Sequence, residues 1–256
     1  MRQYDLVLAG ASLSACAAAC RLKRDGLRVL LLEKGILAAP EFTSAFQAAC
    51  TSSPPEESET AAFCTSLRER GILTEEGLTC AAVHPAVCHQ LRETGVDCLF
   101  RTRIQEIRRT ENVFRLTLIS LGQELEVSAS VLCDATPDSQ LLYRLLGKPI
   151  PPRKKTAGYI TTEQNRQKLT YHTLPVPDAL PEQEIISWFY AHRKDLELSA
   201  DKKIVYIANR FAETADTQNE ENAVGCLVMP TAFTLQQAYD TGIRFAERMV
   251  TADGIL

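Results

Sequence analysis

The chain has 256 residues, enough for one large domain or for a domain with a small appendage. Hydrophobic residues make up 45% and charged residues 23%, a balance that permits a sizeable buried core. The formal net charge of -4, from 28 Lys and Arg against 32 Asp and Glu, and the lack of any long basic block argue against nucleic acid or an anionic membrane as the main partner. No apolar run approaches the ~18 residues of a membrane span, and the opening MRQYDLVLAG lacks the succession of a signal peptide. The nine cysteines are odd in number and irregular in spacing. Cys16 and Cys20 fall inside a helical apolar pattern, Cys98 and Cys133 inside strand-like runs, so reduced, buried thiols in a cytoplasmic protein are expected. Cys64, Cys80 and Cys88 lack the short-spaced pairing of a metal site.

In chain order, residues 5–9 (DLVLA) read as a buried parallel strand broken by Gly10, and residues 12–23, rich in Ala and Leu, as a helix ended by Asp25-Gly26. Residues 27–32 (LRVLLL) form a second buried strand that stops at Glu33. Strand, helix and parallel strand within about thirty residues make a right-handed crossover unit. Residues 40–55, with Ser, Thr and adjacent prolines, read as a loop; helices are expected over 56–70 and 85–93. Strand signals follow at 96–102, 104–109, 113–120 and 124–129, a small antiparallel meander, then a strand at 131–134 and a helix over 139–146. Prolines punctuate 149–222, where a helix over 181–194 and a strand over 203–208 are expected, while 212–222 is polar. Residues 225–230 lead into a long helix over 234–251.

The chemistry concentrates at Gly10-Ala11-Ser12-Leu13-Ser14-Ala15. In a dinucleotide fold the first small residue permits the turn off the strand, the second lets the backbone approach a pyrophosphate, and the third lets the helix pack on the sheet. Gly10 and Ala15 fit the first and third positions, and Ser12 holds the second. The helix start is expected to offer unpaired amides and a partial positive charge to phosphates. Glu33 stands about twenty residues on, where an acid accepts from ribose hydroxyls and disfavours a 2′-phosphate. A purely structural βαβ unit accounts for Gly10 and Glu33 as strand terminators.

The opening YDLVLAGASLSACAAACRLKRDGLRVLLLEKG resembles that of FAD-dependent oxidoreductases of the glutathione-reductase-like superfamily. Two later segments, GVDCLFRTRIQEI with the meander and SVLCDATPDSQLLYRLLGKP, and GCLVMPTAFTLQQAYDTGIRFAERM, resemble that family's adenine-contacting strand, its Asp-Ala-Thr-Gly-Asp segment and its closing flavin-side helix, in family order. The resemblance implies an α/β Rossmann-like FAD-binding domain, with a parallel sheet and β-meander, formed from 1–148 and 223–256, with 149–222 as a small cap or substrate-domain remnant. It implies that Gly10 through Ala15 line the pyrophosphate, that Glu33 and Lys34 lie at the ribose, Arg103 and Ile104 beside the adenine, Ala135, Thr136 and Asp138 near the ribityl phosphate, and Met229, Pro230 and Thr231 near the flavin. Pro137, Leu227, Gln236 and Asp240 depart from the family pattern, and Asp240 is expected to carry a negative charge toward the cofactor.

The implied activity is hydride transfer between a small organic substrate and flavin. A non-catalytic relative that has lost FAD, or a protein binding only an adenine nucleotide, are the alternatives. His172 and His192 are candidate proton-transfer groups. Tyr159, Tyr171 and Trp188 are candidate lining residues of a flavin-side pocket, and Cys226 is a candidate redox neighbour. His84 and His89 are assigned to a helix start.

Overall fold

The computed structural model describes residues 1–49, 58–136, 139–150, 154–163, 166–196, 202–214, 225–230, 232 and 234–251. Strand β1 (Arg2–Ala9) leads through Gly10 into α1 (Leu13–Arg24) and back through β2 (Val29–Leu32). A four-residue α2 (Pro40–Thr43) sits inside the stretch that reads as loop, because Pro40 supplies a preset φ at the first helical position. Then come α3 (Glu59–Glu69), a two-residue-per-strand hairpin of β3 (Leu73–Thr74) and β4 (Gly77–Leu78), and α4 (Val83–Thr94), entered through a 3-10 turn. The strands β5 (Asp97–Leu99), β6 (Thr102–Thr110), β7 (Val113–Ser120) and β8 (Gln123–Asp134) follow, then α5 (Gln140–Leu146). The remainder comprises β9 (Lys154–Glu163), β10 (Arg166–Val176), α6 (Ile185–Ala191), β11 (Lys202–Ile207), β12 (Ala212–Thr214), β13 (Cys226–Val228) and α7 (Leu235–Thr251).

The main sheet runs β5-β2-β1-β8-β7-β6, with β13 also on β8. The pairs β5–β2, β2–β1, β1–β8 and β8–β13 are parallel, while β6–β7 and β7–β8 are antiparallel. Residues 124–129 and 131–134, which read as two strands, form one. Along its first half β8 pairs with β7 (Gln123 to Ala129) and along its last three residues with β13 (Leu132 to Asp134), while β1 lies along the other edge. The change of partner at one edge, not a break in the strand, accounts for the change in pattern near Ser130.

Strand periodicity sorts the core into two faces. Leu6, Leu8, Val29, Leu31, Val131 and Cys133 face α1, α3, α4 and α7, where they meet Leu13, Leu22, Leu67, Leu91 and Tyr239. Val7, Ala9, Leu30, Leu32 and Leu132 face the other way, onto Phe114, Leu116 and Leu118 of the meander and Leu141 of α5. Each of these fully buried leucines contributes on the order of 2 kcal/mol of transfer free energy. The helices thus cover one face of the sheet and the meander the other.

Helix α7 packs along α1 so closely that a Cβ at Gly242 would lie 2.1 Å from the Ser14 carbonyl oxygen and 2.8 Å from Ala17 Cβ. Tyr239, one turn earlier, stacks on Phe63 at 4.2 Å and takes its hydroxyl hydrogen bond from Gln90. The C-terminal strand and helix therefore complete the first sheet and its helical layer.

A second sheet, β10-β9-β11 with β12 on β9, carries a separate core of Ala157, Tyr159, Val176, Ile185, Phe189 and Phe211. The strand expected over 203–208 is β11 of this antiparallel sheet, and the helix expected over 181–194 contains α6; Pro175 lies on β10, whose ladder is formed with β9 alone. The Gly158 amide donates to the Ala45 carbonyl at 2.9 Å, which joins this smaller unit to the segment after α2.

Candidate cofactor site

The site is made where β1, β2 and β8 end side by side. Gly10 has φ +114, and a Cβ there would stand 2.5 Å from the Ala135 carbonyl oxygen and 2.8 Å from the Thr136 nitrogen. The Gly10 amide donates to the Leu32 carbonyl at 2.8 Å, and the Ala135 amide to the Ala9 carbonyl at 2.8 Å. Only a residue without a side chain brings the three strand ends this close. Ser12 then caps α1: its Oγ accepts from the Ala15 amide at 3.2 Å.

Three acids converge on this corner. Glu33, buried at the end of β2, accepts from the Ala11 amide through Oε2 (3.0 Å) and from the Gly35 amide through Oε1 (2.6 Å), with Arg210 Nη1 at 3.5 Å. Asp134, fully buried at the end of β8, accepts from the Thr136 amide and hydroxyl through Oδ1 (2.9 and 2.6 Å) and from the Leu142 amide through Oδ2 (2.8 Å). It thereby holds the loop after β8 and the start of α5.

Glu41 is the third. The Ala39 amide donates to the Ala11 carbonyl at 2.7 Å, and Ala39 itself is left-handed at φ 51, which swings α2 against the start of α1. Glu41 Oε1 consequently accepts from the Leu13 amide at 2.7 Å. Although part of the side chain touches solvent, Oε2 is shut off from water and has no hydrogen-bond partner among the described residues. Burial pushes this carboxyl up to about 7; the neighbouring Glu33 charge adds to the rise, and the Leu13 amide and Glu41's own amide oppose it. The expectation of bare amides is corrected here: those of Ala11, Leu13 and Ala15 already have side-chain acceptors.

A cavity of about 420 Å³ opens over this corner, within the range usual for small-molecule sites. Gly10, Ala11, Ser12, Glu33, Lys34, Arg103, Ile104, Ala135 and Thr136 line it, so nine of the residues singled out in the sequence come together. Glu41, Gln140, Leu141 and Arg144 also line it, with Glu182, Arg210 and Phe211 from the smaller unit. Arg144 donates to the carbonyls of Ile104 (2.7 Å) and Gln105, bridging α5 to β6.

A second cavity, of about 40 Å³, lies on the far side of Ser12, Glu41, Ala135 and Thr136, which belong to both. Ser14, Gln47, Met229, Pro230, Ala232 and Ala238 complete it. Leu13 and Ala15 are wholly buried and present only backbone toward the site. Pro137, Asp138 and Thr231 lie outside the described residues.

The other candidates fall elsewhere. His172 stacks on Tyr159 at 4.6 Å and bonds to Thr161 Oγ1 at 2.9 Å; burial and Lys202 push its pKa down. His192 is exposed and stacks on Trp188 at 4.6 Å. Tyr171 packs edge-on against Phe46 at 6.3 Å. None of these side chains lines either cavity. His84 accepts from the Ala38 amide at 2.9 Å, so it fastens the segment before α2; His89 lies within 3.3 Å of Arg92 on the exposed side of α4. The Cys226 thiol is pushed to about 12 by burial and Asp134, which removes its nucleophilic form at neutral pH. Asp240 does not turn to the site: it pairs with the exposed Arg244 at 2.8 Å along α7.

Sequence reasoning missed Glu41, Arg144 and Arg210. The first had a signal in Ala39-Pro40-Glu41, a proline and an acid at the first two positions of a helix.

The model of the FAD dependent oxidoreductase family matches residues 5–145, more than half of the chain. The chain belongs to this family. No curated protein matches it. Among solved structures, a geranylgeranyl bacteriochlorophyll reductase-like protein from Thermoplasma acidophilum is similar at TM-score 0.67 and 10% identity, over 100% of this chain and 80% of that one. A p-nitrophenol 4-monooxygenase from Pseudomonas putida is similar at 0.64 and 12%, over 98% and 80%. An aklavinone-11 hydroxylase, solved with FAD and aklavinone, is similar at 0.60 and 15%, over 98% and 63%. At such identities the likeness concerns the fold alone.

The family's cofactor is FAD, and the residues present fit its adenosine diphosphate half. The cradle that a Gly10 side chain would fill, the buried acid at the end of β2 and the four cations Lys34, Arg103, Arg144 and Arg210 around the larger cavity suit an anionic nucleotide. The smaller cavity has the space of roughly one water molecule, so taking in a three-ring isoalloxazine requires the wall of Gln47, Met229 and Pro230 to move. Among the described residues no helix is long and apolar enough to cross a membrane, and all eight described cysteines are free thiols.

Proposed function

We propose that the chain binds FAD along the line joining the two cavities and passes a hydride between a small organic substrate and the flavin. The observation that carries this reading is the shared wall: the N-terminus of α1, with Ser12, Glu41, Ala135 and Thr136, separates a nucleotide-sized cavity from the Met229–Pro230 side. A dinucleotide whose middle is a diphosphate has its charge where the helix dipole favours it.

Glu33 keeps lone pairs beyond those its two amides use, so it accepts from ribose hydroxyls while staying oriented by Ala11 and Gly35. Lys34, Arg103 and Ile104 flank the adenosine, and Arg144 fixes the Ile104 backbone against which the base lies. Ser12, whose Oγ accepts from Ala15, has its hydroxyl hydrogen left to donate to a phosphate oxygen. Ser14, Met229 and Pro230 face the flavin side. Once bound, the flavin supplies the two-electron chemistry, and the protein supplies orientation and exclusion of water. The free thiols suit a reducing, cytoplasmic setting.

The test is uptake of FAD by the purified protein, followed by the visible flavin spectrum and by quenching of flavin fluorescence, with ADP as competitor. Binding that ADP competes away and Gly10→Trp abolishes is the expected result. Failure to take up either nucleotide, or unchanged binding by Gly10→Trp, overturns the assignment.

A further inference from the structure

The buried oxygen on Glu41 has no role in the fold. Oε1 makes the bond that steadies the start of α1; Oε2 is closed off from water, meets no donor among the described residues, and belongs to a residue that lines both cavities. An ionised carboxylate left with one naked oxygen is costly, and a diphosphate brought to the same helix end would make it costlier. A neutral carboxylic acid resolves both problems, because it turns the idle oxygen into a donor. Resting on the reading of the site given above, we propose that Glu41 binds the cofactor's diphosphate as a neutral acid: Oε1 goes on accepting from the Leu13 amide, while Oε2–H, covered in the empty site, is uncovered as the wall between the cavities moves to admit the flavin and donates to a phosphate oxygen, so that loading FAD takes up one proton.

The surroundings set the sense of the effect. From β2, Glu33 is the nearest charge; from α1, the buried Cys16 thiol lies close by. Among the described residues, the loop after β8 and the segment before α7 bring Ala135, Thr136, Met229, Pro230 and Ala232, none of them titratable. From α4, His84 is turned to the Ala38 amide. Across the larger cavity stand Lys34, Arg103, Arg144 and Arg210, with Glu182. Burial already holds the carboxyl near 7 before any ligand arrives, so the proton demanded by binding is half in place at neutral pH. Above that pH each unit removes tenfold of the competent form. The dissociation constant for FAD should be flat below pH 7 and rise about tenfold per unit from pH 7.5 to 9.

The measurement is calorimetric titration of the wild-type protein with FAD, and separately with ADP, at pH 8 in two buffers of different ionisation enthalpy, alongside fluorescence titrations from pH 6 to 9. Uptake of close to one proton and a slope near one in log Kd against pH are expected. Glu41→Gln, whose amide donates without carrying charge, should bind FAD at pH 8.5 more than tenfold tighter than wild type, with the slope gone. Binding without proton uptake, or a slope that survives Glu41→Gln, overturns the role of Glu41 and leaves the cofactor assignment standing. No binding of FAD or ADP at any pH, by wild type or Glu41→Gln, overturns both.

Discussion

Glu41 also predicts how the protein without cofactor should respond to pH. Its carboxyl moves from the ordinary 4.5 to about 7 on folding, so between these values the native chain holds a proton that the unfolded chain has released. Stability therefore falls as pH rises from about 4.5 to about 7 and stays low above that. At 1.36 kcal/mol per unit the full swing is about 3 kcal/mol, an upper bound because part of the side chain touches solvent. The lowered pKa values of His84 and His172 act in the opposite sense, since neutral imidazoles stabilise the fold as pH rises through their unfolded value near 6.5. Asp5, held low by its hydrogen bond to Arg28, acts only at more acid pH. The difference between wild type and Glu41→Gln cancels those shared contributions. Urea unfolding of both proteins at pH 5.0, 6.0, 7.0 and 8.0 should show the variant gaining on the wild type by up to about 2.5 kcal/mol across the series, or on the order of 5–10 °C in Tm. Parallel pH profiles for the two proteins would refute the claim that the acid is buried and strained.

Gly10→Ala should cost about 3 kcal/mol or more and eliminate FAD uptake, because it combines positive-φ strain with backbone atoms 2.5–2.8 Å from the new Cβ; Gly26→Ala, at φ +91 with nothing within 4 Å, is the control expected to lose only the strain and to keep binding, both read by urea unfolding and FAD titration. Gly242→Ala should destabilise by about 1–3 kcal/mol despite the better helix propensity of alanine, since the added methyl meets the Ser14 carbonyl oxygen at 2.1 Å; a rise in Tm would show that α1 and α7 are not in close contact. Cys98 and Cys226, both pushed to about 12 by burial, should stay unalkylated by iodoacetamide at pH 8 in the native protein and react fully in denaturant, as mapped by peptide mass.

Much of the corner where β1, β2 and β8 end was legible because local chemistry and long-range packing agree there. The apolar run of β1, the capping serine of α1 and the apolar β2 each suit their element independently, and Gly10 suits the turn between β1 and α1. Glu41 was hidden because its position depends on Ala39 taking a left-handed conformation and bonding to Ala11, a tertiary event that the reading of 40–55 as loop does not contain. Of the small sheet, the strand over 203–208 was legible and is β11, whereas β9, β10 and β12 were hidden for a different reason: Pro175 interrupts the β-propensity of β10, so its register becomes visible only through pairing with β9. Arg144 and Arg210 look like ordinary surface cations in sequence; their places come from α5 folding back on β6 and from the small unit closing on Glu33.

The distribution of donors at the end of α1 bears on why this chain folds with its cradle already formed. A helix start must find acceptors for its first amides or lose their hydrogen bonds to burial. Here Glu33 serves Ala11, Glu41 serves Leu13 and Ser12 serves Ala15, so the corner is satisfied before any phosphate reaches it. Cofactor affinity is then a difference: the diphosphate gains the helix end only to the extent that these internal acceptors make room or change charge. Glu33 and Asp134 each have donors on both oxygens, and Glu41 has one oxygen to spare. Of the three acids it is the one whose protonation creates a new donor without breaking an existing bond. Folding without cofactor and binding of cofactor therefore draw on the same proton, so the ionisation of Glu41 that costs the empty protein stability also costs it affinity.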